Sequence, residues 1–233
     1  MKDSTKKYVT RSGREFGVEA PVTTWSMLDD SPDVALVVGE VWDQNVYLFD
    51  ETDLRYARTV VDVGAHVGSF TLRAAALGAR RIVAVEPVAA NVERLRANLD
   101  LNAYALSNGN VDVEVVEAAV GNPELSGRMV GASTGARFEP DLDGTIMPTT
   151  LDDLVGRFGP VDILKLDVEG AEYDAVAAAS DETFWSVRRI VMETHTPPES
   201  GLFGGMVERL ADFYSLRIIG QPRHGGMLYG DRS

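Results

Sequence analysis

Two hydrophobic periods alternate along the chain from residue 59 onward. Residues 59–61 and Val63 are β-branched and suit a buried strand. Val67, Phe70, Ala74 and Leu77 then recur at helical spacing, and Gly78 ends that helix. A strand over 81–85, a helix marked by Val92, Leu95 and Leu99, and a strand over 111–116 follow. Further on, 161–166 reads as a strand, 171–179 as a helix and 189–192 as a strand; Met206, Leu210 and Phe213 give one face of another helix. Residues 216–219 and 227–229 read as a terminal antiparallel pair, turning through 222–226. Strands alternating with helices predict an α/β fold around a mostly parallel sheet.

Two segments stand outside this rhythm. Within residues 1–58, the runs 34–38 and 46–49 are strand-like and are separated by Asp43-Gln44-Asn45, which predicts a small hairpin ahead of the main sheet, a candidate lid. The expected organisation is an N-terminal extension, 1–58, and a main domain, 59–233. Residues 126–148 carry Gly127, Gly131, Gly135 and Gly144 and little periodicity. Loops of that length in a compact domain are functional or disordered, and a substrate-side loop is expected. Thr150, with Asp153 three residues later, predicts a helix start.

The first strand-to-helix crossing reads Asp62-Val63-Gly64-Ala65-His66-Val67-Gly68-Ser69-Phe70. A strand, a glycine-rich turn and a helix N-terminus make a nucleotide-type site. Gly64 has no Cβ to keep a ligand from the backbone. The next strand ends in Glu86, at about the ~20-residue spacing from which a carboxylate holds ribose hydroxyls. A dinucleotide fingerprint, G-x-G-x-x-G, would have its second glycine where His66 stands, so a pyrophosphate would meet a side chain. Asp-x-Gly-x-x-x-Gly instead fits an adenosyl ligand without phosphate, S-adenosylmethionine (SAM), with Asp62 orienting the groups that receive its cationic amino-acid tail. An ordinary βαβ turn with an incidental acid would leave the same letters. The candidate cofactor-binding residues are Asp62, Gly64, Ala65, His66, Gly68, Ser69, Phe70, Glu86 and Pro87, with Glu117 and Ala118 after the third strand. In the turn, a backbone N–H of His66 offered to the cofactor is expected to matter more than the ring.

Beyond this turn come Ile82-Val83-Ala84-Val85-Glu86-Pro87, the stretch from Asn91 to Asn102, Val120-Gly121-Asn122, Thr149-Thr150-Leu151-Asp152-Asp153-Leu154, Ile163-Leu164-Lys165-Leu166-Asp167-Val168-Glu169-Gly170-Ala171-Glu172 and Val191-Met192-Glu193-Thr194-His195. In that order, over roughly residues 58–196, they closely resemble the FkbM family of SAM-dependent methyltransferases. The resemblance implies a Rossmann-like class I methyltransferase fold: a seven-stranded, mostly parallel sheet in the order 3-2-1-4-5-7-6, with helices on both faces. It also implies methylation of a hydroxyl group on a sugar or secondary metabolite.

Ligands of open α/β sheets bind beyond the carboxyl ends of the strands. Asp62, Glu86, Glu117, Asp167, Glu193 and His195 all fall there and should converge on one edge. Like charges so close raise one another's pKa unless a cation, a hydrogen bond or a metal compensates. Asp167 is the expected active-site carboxylate, with a helix N-cap as the structural alternative. Lys165 and Asp167 share a sheet face and can pair; Glu193 and His195 likewise share one. Methyl transfer requires the enzyme to position an acceptor oxygen and take its proton, and a His near pKa 6.5 suits that work. Asp167, Glu193 and His195 could alternatively hold a divalent metal such as Mg²⁺. Glu169 and Glu172 read as acids favoured at a helix start. His224 reads as solvated. Trp25, Trp42 and Tyr47 read as packing or as the wall of an acceptor pocket.

Composition narrows the rest. The 233 residues, 45% of them hydrophobic, suffice for one sizeable core. Thirty-six acidic against 22 basic residues give a formal charge of −14, which opposes nucleic acid and anionic membranes as partners. The absence of cysteine removes thiolate zinc sites and cysteine nucleophiles. Met1–Lys7 have no apolar run behind them, and no stretch approaches the ~20 apolar residues of a membrane span, so a cytoplasmic protein is expected. Its partner, a small hydroxylated molecule, is what the resemblance implies. A nicotinamide-dependent oxidoreductase on the same fold and a non-catalytic SAM-binding module are the competing readings.

Overall fold

Alternating strand and helix is what the computed structural model of the protein displays, over residues 5–11, 22–28, 32–49, 57–131, 135–195, 200–221 and 225–232. The chain divides into two compact units, Met1–Val116 and Glu117–Ser233. In the first, strands β1 (Thr5–Arg11) and β2 (Val22–Leu28) pair antiparallel, followed by helix α1 (Pro32–Val38) and a π-helical turn over Gly39–Gln44. Then come β3 (Thr59–Val63), α2 (Ser69–Leu77), β4 (Arg81–Val85), α3 (Ala89–Leu101), α4 (Ala103–Gly109) and β5 (Asp112–Val116). β4 lies between β3 and β5, parallel to both.

The second unit contains β6 (Gly127–Val130), β7 (Arg137–Pro140), α5 (Leu151–Phe158), β8 (Val161–Leu166), α6 (Glu172–Ala178), α7 (Asp181–Ser186), β9 (Val187–Thr194), α8 (Gly201–Ala211), β10 (Ser215–Gln221) and β11 (Gly225–Asp231). β8 and β9 are parallel; β11 runs antiparallel to both β9 and β10. The seven-stranded sheet has the order β10-β11-β9-β8-β3-β4-β5. Read from the other edge, this is the 3-2-1-4-5-7-6 order of a class I methyltransferase.

Burial explains why these segments hold their form. Every residue of β3 is buried, as a central parallel strand requires. Gly68 caps α2 at φ 85°, and a Cβ there would stand 3.2 Å from Leu95 Cγ, so glycine is needed for both backbone and packing. Leu95 is fully buried and packs with Ala65 and Ala84; truncating such a leucine to alanine costs about 2–5 kcal/mol. In α5, Thr150 and Asp153 form the expected reciprocal capping box, each accepting from the other's backbone N–H. Asp152 accepts from the Ser180 N–H and the Thr183 hydroxyl, tying α5 to the start of α7.

Two expectations are corrected. Residues 34–38 and 46–49 are not a hairpin. Pro32 occupies a first helical position, and the buried Val34, Val38, Val41 and Trp42 lie on one face at helical spacing. The antiparallel pair of the extension is β1 with β2 instead. Residues 126–148 hold a small ribbon, β6 against β7. Gly127 marks a close backbone approach: a Cβ there would clash with the Glu139 carbonyl oxygen. His224 and most of the 222–226 turn lie outside the described residues. Among the described residues, no helix is long and apolar enough to cross a membrane.

Candidate functional site

In the first unit, the chain leaves β3 through a turn with three left-handed residues, Gly64 (φ 76°), His66 (φ 51°) and Gly68 (φ 85°). The N–H groups of Gly64 and Ala65 both donate to the Val85 carbonyl, which fixes the turn against the end of β4. The backbone N–H of His66 donates to Glu86 Oε2 at 2.9 Å. It is therefore committed within the protein and does not face outward to a cofactor as expected; its partner is the very carboxylate assigned to the ribose. A non-glycine residue at positive φ is strained, and this charge-assisted bond holds it there.

Glu86 is buried, and its Oε1 accepts from the Val88 N–H and from Asn91 Nδ2, both at 3.0 Å. Asp62 is fully buried, and Thr71 Oγ1 donates to its Oδ2 at 2.6 Å. Ser69 Oγ is buried and, among the described residues, has no hydrogen-bond partner. Ala65 packs in the core. Phe70 turns its ring toward Tyr47 and Phe49, at centroid distances of 5.2 and 5.6 Å. Trp25, Trp42 and Tyr47 are buried packing residues. Pro87 is half-buried beside Glu86, and Glu117 is exposed beyond β5 with half-buried Ala118 after it.

Sequence reasoning missed what holds this turn. Asn91 and Asn98 on α3 and Asn102 at its C-cap fall at helical spacing, and all are buried. Asn91 steadies Glu86. Asn98 Nδ2 donates to the Val67 carbonyl in the turn, while its Oδ1 accepts from the Leu28 N–H of β2. Asn102 exchanges hydrogen bonds with the backbone of Ser26. The signal was present: asparagines at positions 91, 98 and 102 recur on the helix period, on the face that also buries Val92 and Leu95.

In the second unit, β8 and β9 bring charged side chains together. Lys165, almost wholly buried, places Nζ 3.4 Å from Asp167 Oδ2. His195 Nδ1 lies 2.8 Å from Glu172 Oε1. Its Nε2 lies 3.5 Å from Glu169, 3.9 Å from Asp167 and 4.0 Å from Glu193. Ligand atoms of Asp167, Glu193 and His195 all fall within 4.8 Å of one another. The N-cap of α6 is Ala171, with no side-chain capping bond, so capping is not what Asp167 does there. Glu172 does serve the helix start, accepting from the N–H groups of Val168 and Gly170.

The electrostatics correct a further expectation. Burial pulls the His195 pKa down, but the hydrogen bond to Glu172 and the charges of Glu172, Glu169 and Asp167 outweigh it and lift it to about 9. His195 is thus an imidazolium at neutral pH, not a ring poised near 6.5. Burial also raises the Glu169 carboxyl; His195 opposes that shift, and Asp167 and Glu172 add to it.

Comparison with known proteins bears on both units. Over a 215-residue alignment the chain is 30% identical to the AMB antimetabolite synthetase AmbE of Pseudomonas aeruginosa PAO1, covering 76% of this chain and 10% of that protein. The chain thus spans about a tenth of the length of that curated relative. The solved structure of the FkbM methyltransferase from Methylobacillus flagellatus KT superposes with a TM-score of 0.54 at 16% identity, covering 87% of this chain and 51% of that one. The Methyltransferase FkbM domain matches residues 62–216, from the buried aspartate of β3 through the charged cluster to β10. The chain therefore belongs to the FkbM family of methyltransferases.

Proposed function

We propose that this methyltransferase takes its methyl group from SAM and delivers it to a hydroxyl on a small molecule. The observation that carries the reading is the turn after β3. It has three left-handed residues, a buried Ser69 hydroxyl with no partner among the described residues, and a Glu86 carboxylate already held in place by three N–H donors. Such a turn fits a polar adenosyl ligand: Ser69 offers a hydrogen bond, Glu86 accepts from the ribose, and Asp62 orients groups toward the amino-acid tail. The His66 side chain in place of a second glycine weighs against a dinucleotide pyrophosphate.

Bound SAM supplies a methyl group on a sulfonium and departs as a neutral thioether. The protein's own work is then to orient the acceptor oxygen and accept its proton. We assign that work to the cluster of Lys165, Asp167, Glu193 and His195. His195 must first give up its own proton to act as a base, while Asp167, paired with Lys165, is the alternative acceptor. A second reading of the same residues rests on the proximity of Asp167, Glu193 and His195: a divalent ion held there would lower the acceptor hydroxyl's pKa. The likeness to AmbE, an antimetabolite synthetase, supports an acceptor in secondary metabolism, with 126–148 as a substrate-side segment.

Calorimetry with S-adenosylhomocysteine (SAH) and with NAD tests the cofactor, and transfer of labelled methyl from SAM to hydroxylated metabolites tests the reaction. Tight NAD binding without SAH binding would overturn the reading. Loss of activity in chelator, restored by a divalent ion, would select the metal form.

A further inference from the structure

We infer that Glu172 is the positioning residue of the charged cluster, setting His195 so that Nδ1 carries the proton and Nε2 is presented to Asp167, Glu169 and Glu193. The catalytic part of this inference rests on the methyl-transfer reading above; the orientation of the ring does not.

Glu172 is fully buried at the first position of α6. Its Oε1 accepts from the N–H groups of Val168 and Gly170, and its Oε2 also accepts from Gly170. The turn that supplies these donors is itself costly. Glu169 sits at φ 53° and Gly170 at φ 104°, and a glutamate in the left-handed region is strained. Favouring a helix dipole requires only an acid near the first turn, which is satisfied on the surface. A capping role alone gives no reason to bury the whole carboxylate, nor to give Oε1 a third partner just past the end of β9.

That third partner is His195 Nδ1, at 2.8 Å. A neutral imidazole has one donor nitrogen and one acceptor nitrogen. A carboxylate can only accept, so Nδ1 must be the donor and the lone pair of the neutral ring is on Nε2. Nε2 is the nitrogen 3.5–4.0 Å from Glu169, Asp167 and Glu193. The backbone donors fix Glu172, Glu172 fixes the ring, and the ring offers its basic atom to the cluster. Carboxylate–histidine pairs set the tautomer in this way whether the free nitrogen takes a proton or a metal.

Two variants separate orientation from charge. In Glu172→Gln an oxygen at the Oε1 place still accepts from Val168, Gly170 and His195 Nδ1, so the ring keeps its proton on Nδ1. In Glu172→Leu the ring has no acceptor at Nδ1, and its neutral form carries the proton on Nε2, beside Asp167, Glu169 and Glu193. The test is ¹⁵N NMR of the 233-residue chain labelled at histidine, with the His195 signals assigned by their loss in His195→Gln, at a pH above the ring's titration near 9. Wild type and Glu172→Gln should show the Nδ1–H tautomer and Glu172→Leu the Nε2–H tautomer. With the acceptor found by the labelled-methyl screen, kcat should fall at least tenfold in Glu172→Leu while SAH affinity and KM stay put. A wild-type ring protonated on Nε2 overturns the inference, and this measurement needs no folded variant. A switched tautomer with undiminished kcat overturns the positioning role. Wild type inactive toward every acceptor would fail the methyl-transfer reading, while the tautomer would still decide the orientation.

Discussion

The ends of β3 and β4 and the ends of β8 and β9 each hold buried or half-buried carboxylates, and the groups described around them differ in kind. Asp62 and Glu86 accept from neutral donors: a threonine hydroxyl, an asparagine amide and the backbone N–H groups of His66 and Val88. Glu172 and Asp167 are held in part by charges, His195 and Lys165. Neutral hydrogen bonds fix geometry without exchanging protons, which suits a preformed receptor. The charged cluster shifts its own members, His195 upward to about 9 and Glu169 upward as well. Such mutual perturbation is the usual mark of groups that handle protons or cations. Under the proposed function, recognition falls to the first set and chemistry to the second.

Asp167→Asn breaks this contrast most sharply. The substitution is nearly isosteric but removes the carboxylate that faces Lys165 and His195. SAH affinity should be unchanged, and turnover should fall by roughly 10²–10⁴-fold if a proton-handling group has been lost. Steady-state kinetics with calorimetry on the same sample checks it; a fully active variant would make Asp167 a structural partner of Lys165 and nothing more. Glu86→Ala should do the converse. It strips the anchor of the His66 N–H along with the ribose acceptor, and charge-assisted hydrogen bonds contribute about 1.5–3 kcal/mol each. SAH affinity should drop roughly ten- to a hundredfold or more, while the His195 tautomer stays as in wild type.

The next effect is on stability. Asn98→Leu would leave the buried Val67 carbonyl and the Leu28 N–H without their partner. Each such group costs about 1–3 kcal/mol, so the denaturation midpoint should fall while its salt dependence does not change. A strong new salt dependence would show that the first region is not held by neutral bonds after all.

These residues also mark what the sequence made legible. The turn after β3, the alternation of strand and helix and the capping box at Thr150 were readable because each depends on local letters: glycines, a period of two or of 3.6, a Thr with an acid three residues on. The sheet order is not local, and it came from the resemblance to the FkbM family. Residues 34–38 were misread because a short apolar run fits strand or helix equally, and the pattern only resolves once Val41 and Trp42 are counted with Pro32. The asparagines at 91, 98 and 102 share the helix face of Val92 and Leu95, but the partners of Asn98 and Asn102 were not legible, because β2 lies seventy or more residues away in sequence. His195 could be nominated but not its charge. That depends on the spacing of Glu172, Glu169 and Asp167 around one ring, and only the folded turn at 168–170 creates it.

The smallest predicted effect separates the two regions by pH alone. The His195 pKa is raised from 6.5 in the unfolded chain to about 9 in the folded one. A raised folded pKa means that the native state binds the proton more tightly, so the stabilisation is fully present below pH 6.5 and is lost as pH rises through 9. Thermal melts of wild type between those limits should therefore show a falling Tm. His195→Gln, which cannot take up the proton, should show a flatter profile and converge with wild type at the alkaline end. Asn98→Leu should lower Tm by the same amount at every pH in that window, because no proton is exchanged in the bonds it removes. If the wild-type and His195→Gln profiles run parallel, the imidazolium is not what holds the cluster, and the division into a neutral receptor and a charged centre fails at the second half.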